Sequence, residues 1–123
     1  MTRVVDFQPN AASVAEARRF VKAQLAAYST DVQETAELCV SELATNCVLH
    51  AGTAFRLRVV LGNDSVRVEV TDHSGDNPEL QYAHPTDEHG RGLQIVSQLS
   101  DRWGVEQTSP GAGKTVWFML RTA

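Results

Sequence analysis

Three polar side chains recur four residues apart in Glu42-Leu-Ala-Thr-Asn46-Cys-Val-Leu-His50. They lie inside a segment, Val32 to Ala51, whose apolar spacing predicts a helix. At about 100° per residue, Glu42, Asn46 and His50 fall within roughly 80° of one another. Val32, Ala36, Cys39, Leu43 and Cys47 occupy the same side, and Gln33, Glu34, Glu37, Ser41 and Thr45 point outward. A carboxylate, an amide and an imidazole therefore flank a core-facing stripe. Polar groups turned partly inward cost about 1–3 kcal/mol each unless they find partners. A bound ligand or metal would supply them: a carboxylate can take a proton, and an amide oxygen can hold a hard cation. A histidine at a helix end more often bonds a nearby carbonyl, so His50 takes a supporting role.

Asp72 follows the alternating run Val66, Val68, Val70 and opens Asp72-His-Ser74-Gly-Asp-Asn-Pro78. A carboxylate at a strand end can accept a hydrogen bond from an exocyclic amine. It can equally start an Asx-turn, and the residues alone leave both readings open. Gly90-Arg91-Gly92-Leu93 stands where an irregular stretch gives way to a predicted helix. Glycines there let backbone approach a phosphate chain, and a helix N-terminus offers free N–H groups. A plain loop-to-helix junction carries glycines about as often. Gly111-Ala-Gly113-Lys114-Thr115 looks like the end of a P-loop, but that pattern needs a glycine where Thr108 stands. It also needs a following helix, where Val116-Trp-Phe-Met-Leu120 reads as a strand. This stretch is predicted to be a hairpin turn.

These groups need elements to hold them. Arg3 to Phe7 predicts a strand. Ser13, with Glu16 at the capping-box position, predicts the start of a helix. That helix buries Val14, Ala17, Phe20, Val21 and Leu25 and ends near Tyr28. Thr30 or Asp31 can cap the second helix, and Gly52 suits its C-terminal stop. Phe55 to Leu61 and Val66 to Val70 alternate as two strands about a Gly62-Asn63-Asp64 turn. Asp72 to Arg91 has no periodicity, and a stretch of that length in a small domain is usually functional. Gly92 to Leu99 predicts a short helix. Arg102 to Glu106 and Thr115 to Leu120 predict two last strands. Helices grouped apart from mostly antiparallel strands make an α+β layer architecture.

The chain has 123 residues, enough for a single domain over 1–123 with one core. Hydrophobic residues make up 42% and charged residues 21%, the balance of a globular chain. A net charge of −4 without a basic run disfavours direct nucleic-acid binding. No apolar run approaches the roughly 18 residues of a membrane span, and the start lacks an apolar h-region. A cytoplasmic location is expected. Cys39 and Cys47 are eight positions apart on one helix, about 12 Å of rise, too far for a disulfide. Both are expected to be buried free thiols.

Glu42/Asn46 on a helix, Asp72 after a strand, Gly90-Arg-Gly-Leu93 before a helix and Gly113-Lys-Thr115 before a last strand occur in that order. The series resembles the N, G1, G2 and G3 boxes of the GHKL, or Bergerat-fold, ATP-binding superfamily. Within it, the chain is most similar to the small stand-alone anti-sigma-factor serine kinases of bacteria, whose N-box reads Glu-x-x-x-Asn-x-x-x-His. Gly90 to Gly104 and Gly113-Lys-Thr-Val-Trp117 look like that family's second half and close, so the likeness covers nearly the whole chain. It implies a two-layer sandwich: a mixed, mostly antiparallel sheet covered on one face by helices.

The resemblance also implies roles. Asn46 would hold Mg²⁺ against the phosphates of ATP, and Glu42 would be the general base. Asp72 would receive the adenine amine, with Thr115 supporting it directly or through water. Ser74, Gly90, Gly92, Leu93 and His50 would complete the nucleotide site. Residues from about Glu79 to Gly92 would be the ATP lid, and Arg91 could reach the γ-phosphate as an arginine finger does. The superfamily's G1 box is Asp-x-Gly-x-Gly. Here Ser74 and Asp76 hold its glycine positions, as in a variant that looks common among actinobacterial stand-alone members.

No sensor segment or receiver domain fits beside this domain in 123 residues. The resemblance therefore implies partner switching. The protein would hold a sigma factor inactive and phosphorylate a serine or threonine of a STAS-type anti-anti-sigma partner. A homodimer is expected by the same resemblance. The altered G1 box supports a second expectation from another class: a nucleotide-dependent or nucleotide-free binding module without catalysis.

Overall fold

The computed structural model describes residues 1–73, 88–109 and 113–122, apart from the side chains of 88–91 and 108–109. Its elements are β1 (Thr2–Phe7), α1 (Ala11–Gln24), α2 (Thr30–Asn46), a π-helical turn (Cys47–Ala51), β2 (Phe55–Leu61), β3 (Ser65–Asp72), α3 (Glu88–Leu99), β4 (Arg102–Ser109) and β5 (Gly113–Arg121). The strands form one sheet in the order β1-β2-β3-β5-β4. Every described pairing is antiparallel, so the mixed component expected from the resemblance does not occur there. The expected α+β sandwich is what the chain forms.

The period of two decides which face is buried. Val66, Val68 and Val70 of β3 stand opposite Leu120, Phe118 and Val116 of β5. Leu57 and Val59 of β2 continue these rows, and all eight side chains are buried. Phe7 and Phe55 close one end, with ring centroids 5.3 Å apart. Onto this face pack Ala17, Val21 and Leu25, then Ala36, Cys39, Val40, Leu43 and Ala44 of α2, and Val96 of α3. The other face carries charge: Arg56 bonds Asp6 at 2.8 Å, and Arg58 and Arg67 share Glu69.

Local chemistry moves several boundaries. Asn10, not Ser13, caps α1, accepting from the Ser13 N–H at 3.1 Å. Ser13 sits buried in the first turn and donates its hydroxyl to the same Asn10 oxygen. Asparagine is at least as good an N-cap as serine, and the earlier start satisfies one more end group. The helix stops at Gln24, before Tyr28. Ser29 caps α2, rather than Thr30 or Asp31, by accepting from the Val32 N–H at 3.2 Å. Gly52 ends the π-helical turn in the left-handed region at φ +64°, and its N–H donates to the Cys47 carbonyl at 2.8 Å. The third helix begins at Glu88 rather than Gly92. The irregular stretch is thereby shortened at both ends, because Asp72 closes β3. Residues 74–87, including Ser74, Asp76 and most of the expected lid, lie outside the described residues. Among the described residues no helix is long and apolar enough to cross a membrane.

Cys39 and Cys47 are buried free thiols, as expected. Burial pushes Cys39 from 9.0 up to about 12, and the Glu42 charge adds to it. Cys47 moves the same way, first by burial and then by the Asp72 charge. Raised thiol values favour the native state below about pH 9, and that contribution is lost as pH rises from 9 toward 12. Neither thiol should react with Ellman's reagent in the native protein at pH 8, and both should react in guanidinium. Urea titrations should show stability falling between pH 9 and 10.5, less so in Cys39→Ala.

Candidate functional site

Glu42 and Asn46 lie one turn apart near the C-terminal end of α2. Glu42 is half-buried, while Asn46 is only 6% exposed. The Asn46 Nδ2 is buried without a hydrogen-bond partner among the described residues. α3 crosses at this point. A methyl group at Gly92 would stand 3.0 Å from Asn46 Nδ2 and 3.7 Å from Glu42 Cβ. Glycine here serves close packing between helices. Gly90 and Arg91 lie in the first turn of α3. Leu93 packs partly buried against the core.

A second polar group closes the sheet. Asp72 is the last residue of β3, and its partner across the strands is Lys114 of β5. Both are in phase with the buried valine rows, so both side chains turn to the helix-bearing face. Lys114 Nζ lies 3.0 Å from Asp72 Oδ2, with the two side chains 3% and 4% exposed. Cys47, next to Asn46 in the chain, feels both charges. The helix pair and the ion pair thus share one end of the core. Gly113 adopts φ +136°, and a Cβ there would collide with the Asp72 carbonyl.

Thr115 faces away from this pair. Thr115 is opposite Thr71, not Asp72, and the two hydroxyls bond at 2.7 Å on the other face of the sheet. It does not support Asp72, because adjacent strand residues point to opposite faces. His50 is exposed in the π-helical turn. Lys114 was missed: the turn-like Gly-Ala-Gly-Lys drew attention from the strand. Its phase with Val116, Phe118 and Leu120 was the available signal.

Residues 7–120 match the family model for the histidine kinase-like ATPase domain. The chain belongs to that family. No curated protein matches it. Among solved structures it is similar to the RsbU and RsbW domains of Rv1364c from Mycobacterium tuberculosis, at 16% identity and a TM-score of 0.77. That match covers 98% of this chain and 32% of the other, so the chain spans about a third of that protein's length. At this identity the likeness concerns the fold, and the fold is the same two-layer sandwich.

Membership in an ATPase-domain family implies nucleotide binding, usually with Mg²⁺. Among the described residues no three His, Cys, Asp or Glu side chains converge on a metal position. Mg²⁺ bound with a nucleotide needs none, since one or two protein oxygens suffice and phosphates and water fill the rest. A half-turn of the Asn46 amide would exchange Nδ2 and Oδ1, offering oxygen where the unbonded nitrogen now stands. The residues present therefore fit such an ion.

A buried pair contributes little net stability, but removing one partner strands the other charge at a cost of about 3–5 kcal/mol. Lys114→Met should lower the free energy of urea unfolding by about that amount. Asp72→Leu with Lys114→Met should recover most of the loss. Gly92→Ala gains helix propensity of about 0.5–1 kcal/mol, offset by displacement of the Asn46 amide. Its stability should stay within about 1 kcal/mol of wild type, whereas the branched Gly92→Val should lose clearly more.

Proposed function

We propose that this chain binds ATP with Mg²⁺ and acts as a serine/threonine kinase in a partner-switching system, as a cytoplasmic anti-sigma factor. The observation that carries the reading is the approach of Gly92 to Asn46 and Glu42. It puts a half-buried carboxylate, an unbonded buried amide and the start of α3 at one place, beside the buried Asp72. In this reading Asp72 receives the exocyclic amine of adenine. Asn46 would hold Mg²⁺, whose charge offsets that of the phosphates. Glu42 takes the proton from a serine or threonine hydroxyl of a STAS-type partner. That oxygen then bonds to the γ-phosphorus as the bond to ADP breaks, and ADP leaves. Arg91 stabilises the charge spread over the transferred group. The same protein binds the sigma factor, and homodimerisation belongs to the proposal.

Two observations favour a second reading, a binding module without catalysis. Asp72 already has a buried cation beside it, and Ser74 and Asp76 replace the glycines of the usual box.

Calorimetric titration with a non-hydrolysable ATP analogue, followed by an assay of phosphate transfer, separates the two. The kinase reading expects micromolar binding that weakens without Mg²⁺. Binding that is still absent at millimolar nucleotide would leave the binding module. Glu42→Ala should keep that affinity and slow phosphate transfer to a STAS-type acceptor by about 10²–10⁴-fold, the usual contribution of a general base. Transfer at the wild-type rate would remove Glu42 from the role.

A further inference from the structure

We propose that two copies of this chain meet at the seam between α1 and α2, face to face about a twofold axis that runs along the seam. The inference rests on the homodimer reading above and assigns it a surface. Its starting point is the division of charge between neighbouring helices. α1 carries Arg18, Arg19 and Lys22 against Glu16. α2 carries Asp31, Glu34, Glu37 and Glu42 and no basic residue. The two form an antiparallel hairpin joined by residues 25–29. A basic helix therefore lies beside an acidic one in the helical layer.

Between them is an open groove of about 290 Å³, lined by Arg18 from α1 and by Glu34, Glu37, Leu38 and Ser41 from α2. Arg18 and Glu34 are exposed, and Leu38 is 45% exposed in their midst. Among the described residues no ion pair joins Arg18 to either carboxylate. A partner of one sign would match one wall of this groove and be repelled by the other. The chain itself carries both signs. Arg18, Glu34 and Glu37 line one groove, so they stand at one height along the seam. A twofold axis along the seam keeps that height and exchanges the two sides. α1 of each copy then lies over α2 of the other, and Arg18 meets the partner's Glu34 and Glu37, twice over. Leu38, within the groove, lies near the axis and is covered by its own copy. α1 is 14 residues long, about 21 Å. Two helices side by side make a face roughly 20 Å wide, so the projected area is roughly 400 Å², below the roughly 800 Å² per partner of a standard interface. The dimer is therefore weak, in the micromolar range, and depends on charge.

Sedimentation equilibrium of the whole chain, at rising concentration and in low and high salt, tests this. Wild type should dimerise, and the dimer should weaken in molar salt, which screens exposed charge. Arg18→Glu should weaken it about tenfold or more, because symmetry breaks both halves of the interface and adds like-charge contacts. Glu34→Lys with Glu37→Lys should do the same. Mixed in equal amounts, these two variants should form a heterodimer, since each offers the charge the other lacks. A wild-type dimer that both variants leave intact would put the interface elsewhere and overturn this assignment, while homodimerisation stands. Variants that weaken the dimer but do not pair when mixed would overturn the twofold arrangement. A wild-type monomer throughout would overturn the homodimer reading and this one with it. Should a charge variant fail to fold, Leu38→Cys still decides. Its exposed thiol should be joined to its copy by a bismaleimide at dimer-forming concentration, and a failure to join would overturn the assignment.

Discussion

The burial of α2 is the constraint on which the rest of this structure depends. Its inward stripe, Ala36, Cys39, Val40, Leu43 and Ala44, continued by Cys47 of the π-helical turn, is shielded from solvent almost completely. Most of these side chains are small, so the helix lies close on the sheet and still has room for α1 and α3 on its flanks. Burying that stripe is favourable at about 25 cal/mol per Å² of apolar surface, and it fixes the rotation of the helix about its axis. Once that rotation is set, Glu42 and Asn46 have no choice of direction. They emerge at the seam between α2 and α3, where Gly92 leaves space for them.

The same logic governs the sheet. Alternation assigns the valines of β3 and the Val116, Phe118 and Leu120 row of β5 to the core. Continuing it one rung further carries Asp72 and Lys114 inward as well, where they must pair. The site is thus built by two periodic patterns running past the end of their apolar portions, one helical and one extended. Polar groups placed this way are costly to leave unmatched. Asp72 and Lys114 answer the cost with each other, and Asn46 keeps a buried nitrogen without a partner among the described residues. Membership in the histidine kinase-like ATPase domain family supplies a ligand class of matching chemistry.

Much of this was legible before any coordinates. Element types, the Gly62-Asn63-Asp64 hairpin, the buried thiols and the Gly52 stop follow from periodicity and from residue chemistry confined to a few neighbours. Boundaries were less legible. Ser13 and Asn10 are both good caps, and Asn10 takes the role by accepting from the Ser13 N–H and hydroxyl. The π-helical turn over Cys47–Ala51 left no mark on the apolar pattern. Lys114, rather than Thr115, is the residue facing Asp72, and the glycines before them signal a turn more loudly than the strand phase signals a face.

The sequence by itself determined the layers, the inward stripe of α2 and the phase of each strand, because these rest on local spacing and on the preference of apolar groups for burial. Only the tertiary structure decided that Gly92 meets Asn46 and that Asp72 faces Lys114. Those contacts join residues more than forty positions apart. They depend on strand order and on how closely α3 approaches α2, and neither quantity is written in any short stretch of chain.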